Sequence, residues 1–227
     1  VRRLPVLIAA AAVLLMAGLV VATTVDRGPS SAPAASVPPV AATPTDGELR
    51  QVSRATGIPR RALSAYVAAA RTVGRDDRAC GIAWNTLAGI GSSESSHGAF
   101  GGARLDEAGV ARPLIIGVPL DGSGGNRAIR DTDGGGLDGD QQWDRAVGPM
   151  QFIPTTWAAW GADGDGDGRN DPHDIDDAAL AAARYLCDAG RDLSASAGWS
   201  RAVLTYNNSG AYARKVASTA TEYAEAV

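Results

Sequence analysis

A mostly α-helical domain is predicted for this chain, on three observations. Apolar residues recur at spacings of three and four in several separate stretches. No stretch alternates apolar and polar residues convincingly, as half-buried strands do. An Ala-rich run between Ile175 and Cys187 suits close packing of one helix on another.

The elements follow in order. Asp46 is placed to cap a short helix carrying Leu49 and Val52. Pro59 stands where the first position of a second helix falls; its apolar face comprises Ala62, Leu63, Tyr66, Val67, Ala70 and Val73. A third helix, from about Gly81, carries Ala83, Leu87, Ile90 and Glu94 along one stripe. Residues 98–147 are Gly-rich and irregular, broken at Pro113 and Pro119, with one short strand predicted at Leu114 to Val118. So long a loop inside a compact domain is more often functional than not. A short helix follows Pro154 with Trp157 and Trp160, and a longer one from about Ile175 carries Leu180, Ala183, Leu186 and Cys187. Two more are predicted, roughly 198–206 and 209–225.

The first 45 residues differ in kind. Arg2 and Arg3 precede an almost uninterrupted apolar run from Leu4 to Val25, the pattern of a signal peptide or membrane anchor over 1–25. The run is 22 residues long, enough for a bilayer crossing of ~20 residues, which favours an uncleaved anchor with its basic end inside. Ala32-Pro33-Ala34 resembles a small-residue cleavage site but lies well beyond the run. Residues 26–45, rich in Pro, Ala, Ser and Thr, read as a linker. The remaining residues, 46–227, suit one domain with net charge −6, and no basic patch points to nucleic acid. Cys80 and Cys187 are the only cysteines. In an exported protein such a pair is expected to form a disulfide, though two buried free thiols are the alternative.

Two motifs carry chemistry. Glu94 ends the apolar stripe of its helix. A carboxylate there is either partly desolvated, which favours its protonated form, or turned out to solvent. A carboxylic acid held neutral near neutral pH is what breaking a glycosidic bond requires. Residues 163–174 read D-G-D-G-D-G-R-N-D-P-H-D. Asp163, Asp165 and Asp167 occupy positions 1, 3 and 5 of an EF-hand loop, with Gly168 at the sharp turn and the Arg169 carbonyl at position 7. Asp171 falls where a ligand binds through water, and Asp174 stands at position 12 in place of the usual Glu. A structural calcium ion is therefore expected. The second acidic stretch, Asp131 to Asp140, does not fit that template; it lines a groove, holds another ion or is a solvated turn. His97 and His173 are read as structural, and Gly122 to Gly125 follows no strand, which argues against a phosphate site.

Three segments then line up: Glu94-Ser95-Ser96-His97-Gly98, Ala146-Val147-Gly148-Pro149-Met150-Gln151-Phe152-Ile153-Pro154, and Tyr206-Asn207-Asn208-Ser209 before Tyr212. In that order they resemble the lytic murein transglycosylases with a lysozyme-like domain, specifically the membrane-bound transglycosylase B branch, which has an EF-hand-like calcium site inside its catalytic domain. The resemblance covers roughly Cys80 to Tyr212. It implies that Glu94 is the single catalytic acid/base. It further implies that Gln151 and Phe152 contact sugar, that Tyr206 and Asn207 stand beside the acid, and that Tyr212 is a further groove tyrosine. Phe152 and Tyr212 are equally explicable as core residues. The implied reaction cleaves the MurNAc–GlcNAc bond of peptidoglycan and leaves 1,6-anhydro-MurNAc ends. The implied setting is the extracytoplasmic cell envelope. The partners expected are glycan strands, the membrane through an uncleaved N-terminal segment, and proteins of wall synthesis or division. Two rivals stand: a hydrolytic muramidase, needing a second carboxylate such as Asp131, Asp133 or Asp144, and a non-catalytic, calcium-dependent wall-binding module. Larger members of the branch have an extra helical subdomain for which this chain has no room.

Overall fold

The structure is a computed structural model and describes residues 36–227. The predicted anchor over 1–25, the Ala32-Pro33-Ala34 site and the first part of the linker lie outside the described residues. Among the described residues no helix is long and apolar enough to cross a membrane.

Among the described residues seven helices carry the fold: α1 (Leu49–Thr56), α2 (Arg60–Asp76), α3 (Trp84–Ser95), α4 (Pro154–Trp160), α5 (Ile175–Gly190), α6 (Ser196–Tyr206) and α7 (Gly210–Glu225). α2 packs on α5, α3 on α7, and α5 on α6. The small residues decide these contacts. Ala178, Ala179, Ala181, Ala182 and Ala183 of α5 are buried, as are Ala62, Ala65 and Ala69 of α2, so the two backbones approach closely. Gly89 does the same for α3, because a Cβ there would lie 2.9 Å from the Val216 carbonyl oxygen of α7. Trp84, Trp199, Tyr66, Leu63, Leu87 and Ile90 fill the space between the helices. Burying an aliphatic side chain fully is worth ~1.5–3 kcal/mol, so these contacts hold α3 in place. Cys80 and Cys187 are joined, with Cα atoms 5.3 Å apart, and tie the approach to α3 to the last turn of α5. Across a sequence separation of 107 the link is worth ~4–5 kcal/mol in the loop-closure account.

Three expectations need correction. Asp46 does not cap α1; its carboxylate pairs with Arg71, and Glu48 occupies the cap position while accepting from the Thr45 amide and hydroxyl. The long loop is not wholly irregular. It holds two small antiparallel pairs, β1 (Arg104–Leu105) with β2 (Ala111–Arg112), and β3 (Ile116–Pro119) with β4 (Arg145–Val147). β3 overlaps the strand predicted at Leu114 to Val118; the other three, of two or three residues, are too short to show alternation. Finally, the end of the expected linker is docked. Ala41 is buried, and its amide reaches Asn85 Oδ1 at 3.4 Å. The Pro39 and Ala42 carbonyls accept from Asn85 Nδ2 and Trp84 Nε1 at 2.9 and 3.0 Å.

Candidate active site

Glu94 lies in the last turn of α3 and is half-buried. Burial pushes its carboxyl up to about 7, against opposing pulls from the Tyr212 hydroxyl and the Lys215 charge. The Tyr212 hydroxyl donates to Glu94 Oε1 at 2.5 Å. Among the described residues, no second carboxylate is among the groups that act on Glu94. Tyr212 and Lys215 are three apart on α7, one face of a helix, so the packing of α7 on α3 brings both to the acid together.

The residue after the acid links it to the next segment. Ser95 is buried; its hydroxyl donates to the Pro149 carbonyl at 2.6 Å and accepts from the Gly98 amide at 2.8 Å. Gly148 to Gln151 forms a tight turn closed by the Gln151 amide on the Gly148 carbonyl, with Val147 and Phe152 exchanging amide-to-carbonyl bonds on either side. Gly148 has φ 74°, and a Cβ there would collide with the Pro172 carbonyl, so glycine is required. Gln151 takes φ 51°, costly for a residue with a side chain, and its amide nitrogen returns to the Gly148 carbonyl at 2.9 Å. On the far side, the Tyr206 hydroxyl donates to the Met150 carbonyl at 2.7 Å. The turn is thus clamped between the acid's helix and the end of α6.

A cleft of about 680 Å³ opens beside this turn. Its lining takes Gln151 and Phe152, expected to contact sugar, and Tyr206 and Asn207, expected beside the acid. Phe152 serves both readings: it is 2% exposed, packs edge-on against Trp157 and Tyr206 with centroids 5.4 and 5.8 Å away, and still reaches the cleft. Glu94 and Tyr212 are not among the lining residues; Tyr206 connects them to it. Its hydroxyl is pushed well above the ordinary range by burial, then by the Glu94 charge. Tyr212 is therefore placed on the acid rather than in the cleft wall. Tyr185, Thr156, Thr205 and Asn208 line the cleft without having been predicted. Tyr185 sits in an Ala-rich helix whose pattern reads only as core.

The acidic loop gathers Asp163, Asp165 and Asp177, one carboxylate oxygen of each lying within 4.8 Å of the others. Asp174 does not join them. Its side chain accepts from the Asp176 amide and caps α5. Asp177, from the first turn of α5, takes the place expected for Asp174 and accepts from the Gly164 and Asp171 amides at 2.6 and 2.8 Å. The Asp167 carboxylate accepts from the Arg169 amide and is outside the cluster. Three convergent carboxylates are the donor set of a hard cation. Asp131, Asp133 and Asp144 form a second such group; in both groups the carboxylates accept from loop amides, and Asp144 accepts from the Thr132 hydroxyl as well. Asp144, beyond the predicted stretch, is fully buried, whereas residues 131–140 are all exposed or half-buried.

His97 is structural, as expected. It bridges the Tyr66 and Tyr223 hydroxyls at 3.2 and 2.9 Å, and burial drives its pKa down to about 4.

Residues 138–203 match the family model described as Transglycosylase SLT domain. The match includes Gln151, Phe152 and the acidic loop; Glu94 and Tyr206 fall outside it. Among solved structures the chain is similar to the crystal structure of SltB3 from Pseudomonas aeruginosa in complex with NAG-anhNAM-pentapeptide. Identity is 20% and the TM-score 0.41, over 78% of this chain and 66%, just under two thirds, of that one. No curated protein matches the chain.

Proposed function

We propose that this chain, whose residues 138–203 match the transglycosylase SLT domain, is a lytic transglycosylase that cuts peptidoglycan glycan strands outside the cytoplasmic membrane. The observation that carries the reading is Glu94: one half-buried carboxyl, held near 7, hydrogen-bonded by Tyr212, with no second carboxylate acting on it among the described residues. At neutral pH such a group is present in both forms, as an acid that must later act as a base requires.

The steps balance on that one group. Protonated Glu94 gives its proton to the oxygen leaving C1 of N-acetylmuramic acid as the glycosidic bond breaks. The substrate's own N-acetyl oxygen stabilises the oxocarbenium-like centre, so no enzyme nucleophile is needed. Glu94, now a carboxylate, takes the proton of the muramoyl 6-hydroxyl, whose oxygen bonds to C1. The product is the 1,6-anhydro sugar, and no water is consumed. Holding that hydroxyl beside C1 favours it over bulk water. A hydrolase would need a second carboxylate to activate water, and Asp131, Asp133 and Asp144 are engaged in their own loop.

The lysozyme-like and transglycosylase B assignments rest on the order of the three motifs and on the acidic loop. That loop suits a structural calcium ion held by Asp163, Asp165 and Asp177. It would neutralise the gathered carboxylates and fix the loop end at Pro172, against which Gly148 packs. Glu94→Gln is expected to abolish strand cleavage while leaving the fold intact; cleavage at the wild-type rate would refute the role given to Glu94.

A further inference from the structure

The cleft beside Gln151 carries one charged side chain. That side chain is the guanidinium of Arg127; every other lining residue is apolar, aromatic or neutral and polar. Three other arginines of the long loop are engaged. Arg112 pairs with Asp106 at 2.9 Å, Arg145 with Asp140 at 2.9 Å, and Arg130 covers the Trp143 ring at 4.0 Å. Arg127 is exposed and has no hydrogen-bond, ion-pair or ring partner among the described residues. The loop on either side of it is nevertheless held. The Ile129 amide bonds to the Leu120 carbonyl at 2.8 Å, the Asn126 amide to Ser123 at 3.0 Å, and the Leu120 amide to Asp144 at 3.0 Å. Arg127 therefore lines the cleft from a held loop, with no partner for its guanidinium among the described residues.

A free guanidinium attracts a planar oxyanion and can bind it through two parallel N–H groups. A strand of neutral N-acetyl sugars offers no such group. A muramoyl strand does: its 3-O-lactyl carboxylate where no peptide is attached, or the carboxylates of the peptide where one is. We propose that Arg127 is a specificity-determining residue that binds a carboxylate of the glycan substrate. The proposal rests on the transglycosylase reading. It makes the cleft a selector for carboxylate-bearing strands over neutral ones.

The test measures cleavage by the full chain and its Arg127→Ala and Arg127→Lys variants on three substrates. These are peptide-bearing strands, strands freed of peptide by an amidase, and freed strands whose lactyl carboxylates are converted to neutral methylamides. Arg127→Ala is expected to raise KM about fivefold on a carboxylate-bearing strand, with kcat nearly unchanged, as loss of an exposed ion pair does. Arg127→Lys is expected to recover part of the loss, and the neutral strand to be cut equally by all three. A penalty on freed strands assigns the lactyl carboxylate; a penalty on peptide-bearing strands alone assigns the peptide. An equal penalty on the neutral strand, or none on any strand, would overturn the proposal. Failure of the wild-type chain to cut all three would instead overturn the transglycosylase reading.

Discussion

The Tyr212 hydroxyl donates to Glu94 Oε1 at 2.5 Å, from a helix 118 residues later in the chain. A hydrogen bond to a carboxylate stabilises its charged form, so this contact holds Glu94 below the value that burial alone would set. Cleavage needs the protonated form and is expected to decline as pH rises through about 7. Tyr212→Phe removes the downward pull, so the alkaline limb of kcat/KM is expected to move to higher pH. A limb that stays in place or moves down would contradict the coupling.

Glu94 and His97 together set a pH dependence of stability. Glu94 is raised from 4.5 to about 7, so the folded chain binds more protons than the unfolded one between those values. Its contribution is full below 4.5 and is lost as pH rises through 7. His97 is lowered from 6.5 to about 4, and its contribution is full above 6.5 and is lost as pH falls towards 4. Each is worth up to about 3 kcal/mol, and over pH 4.5–6.5 they oppose each other. Glu94→Gln leaves the His97 effect alone. Its melting temperature is expected to climb more steeply with pH than that of the wild type, and to exceed it at pH 8. Parallel curves from calorimetry would count against both assignments.

For the acidic loop, adding calcium to chelator-treated protein is expected to raise the melting temperature by on the order of 5 °C. Asp177→Ala is expected to remove that response. Asp174→Ala is expected to keep it while losing about 1 kcal/mol of helix-cap stability. The opposite pattern would restore Asp174 as the ligand.

Residues 37–44 make a stability prediction of their own. Asn85 is wholly buried and gives Nδ2 to the Pro39 and Ala220 carbonyls, both at 2.9 Å. A chain starting at residue 46 leaves Asn85 and the Trp84 Nε1–H short of partners. It is expected to be at least about 2 kcal/mol less stable to urea than one starting at residue 36. Equal midpoints would show the docked segment to be dispensable.

Long helices and the acid were legible in the sequence because both rest on local period. Leu87, Ile90 and Glu94 share a stripe whatever the rest of the chain does, and α2 and α5 read the same way. What was not legible depends on contacts between distant segments. Asp177 escaped because the EF-hand template is contiguous, whereas the third carboxylate comes from a helix turn beyond the template's end. Lys215 acts on Glu94 only once α7 packs on α3. Arg127 lies in a Gly-rich loop with no periodicity, and only the fold shows that it stands in the cleft. Asp46 was misjudged because the Arg71 charge competes for it and Glu48, two residues on, takes the cap position.

The central claim, that one carboxylate cuts the strand without water, is tested most directly by mass spectrometry of the muropeptides the purified chain releases from cell wall. Fragments lighter by one water than hydrolytic products, with no new reducing ends, are the result predicted. Reducing muramic ends would contradict it.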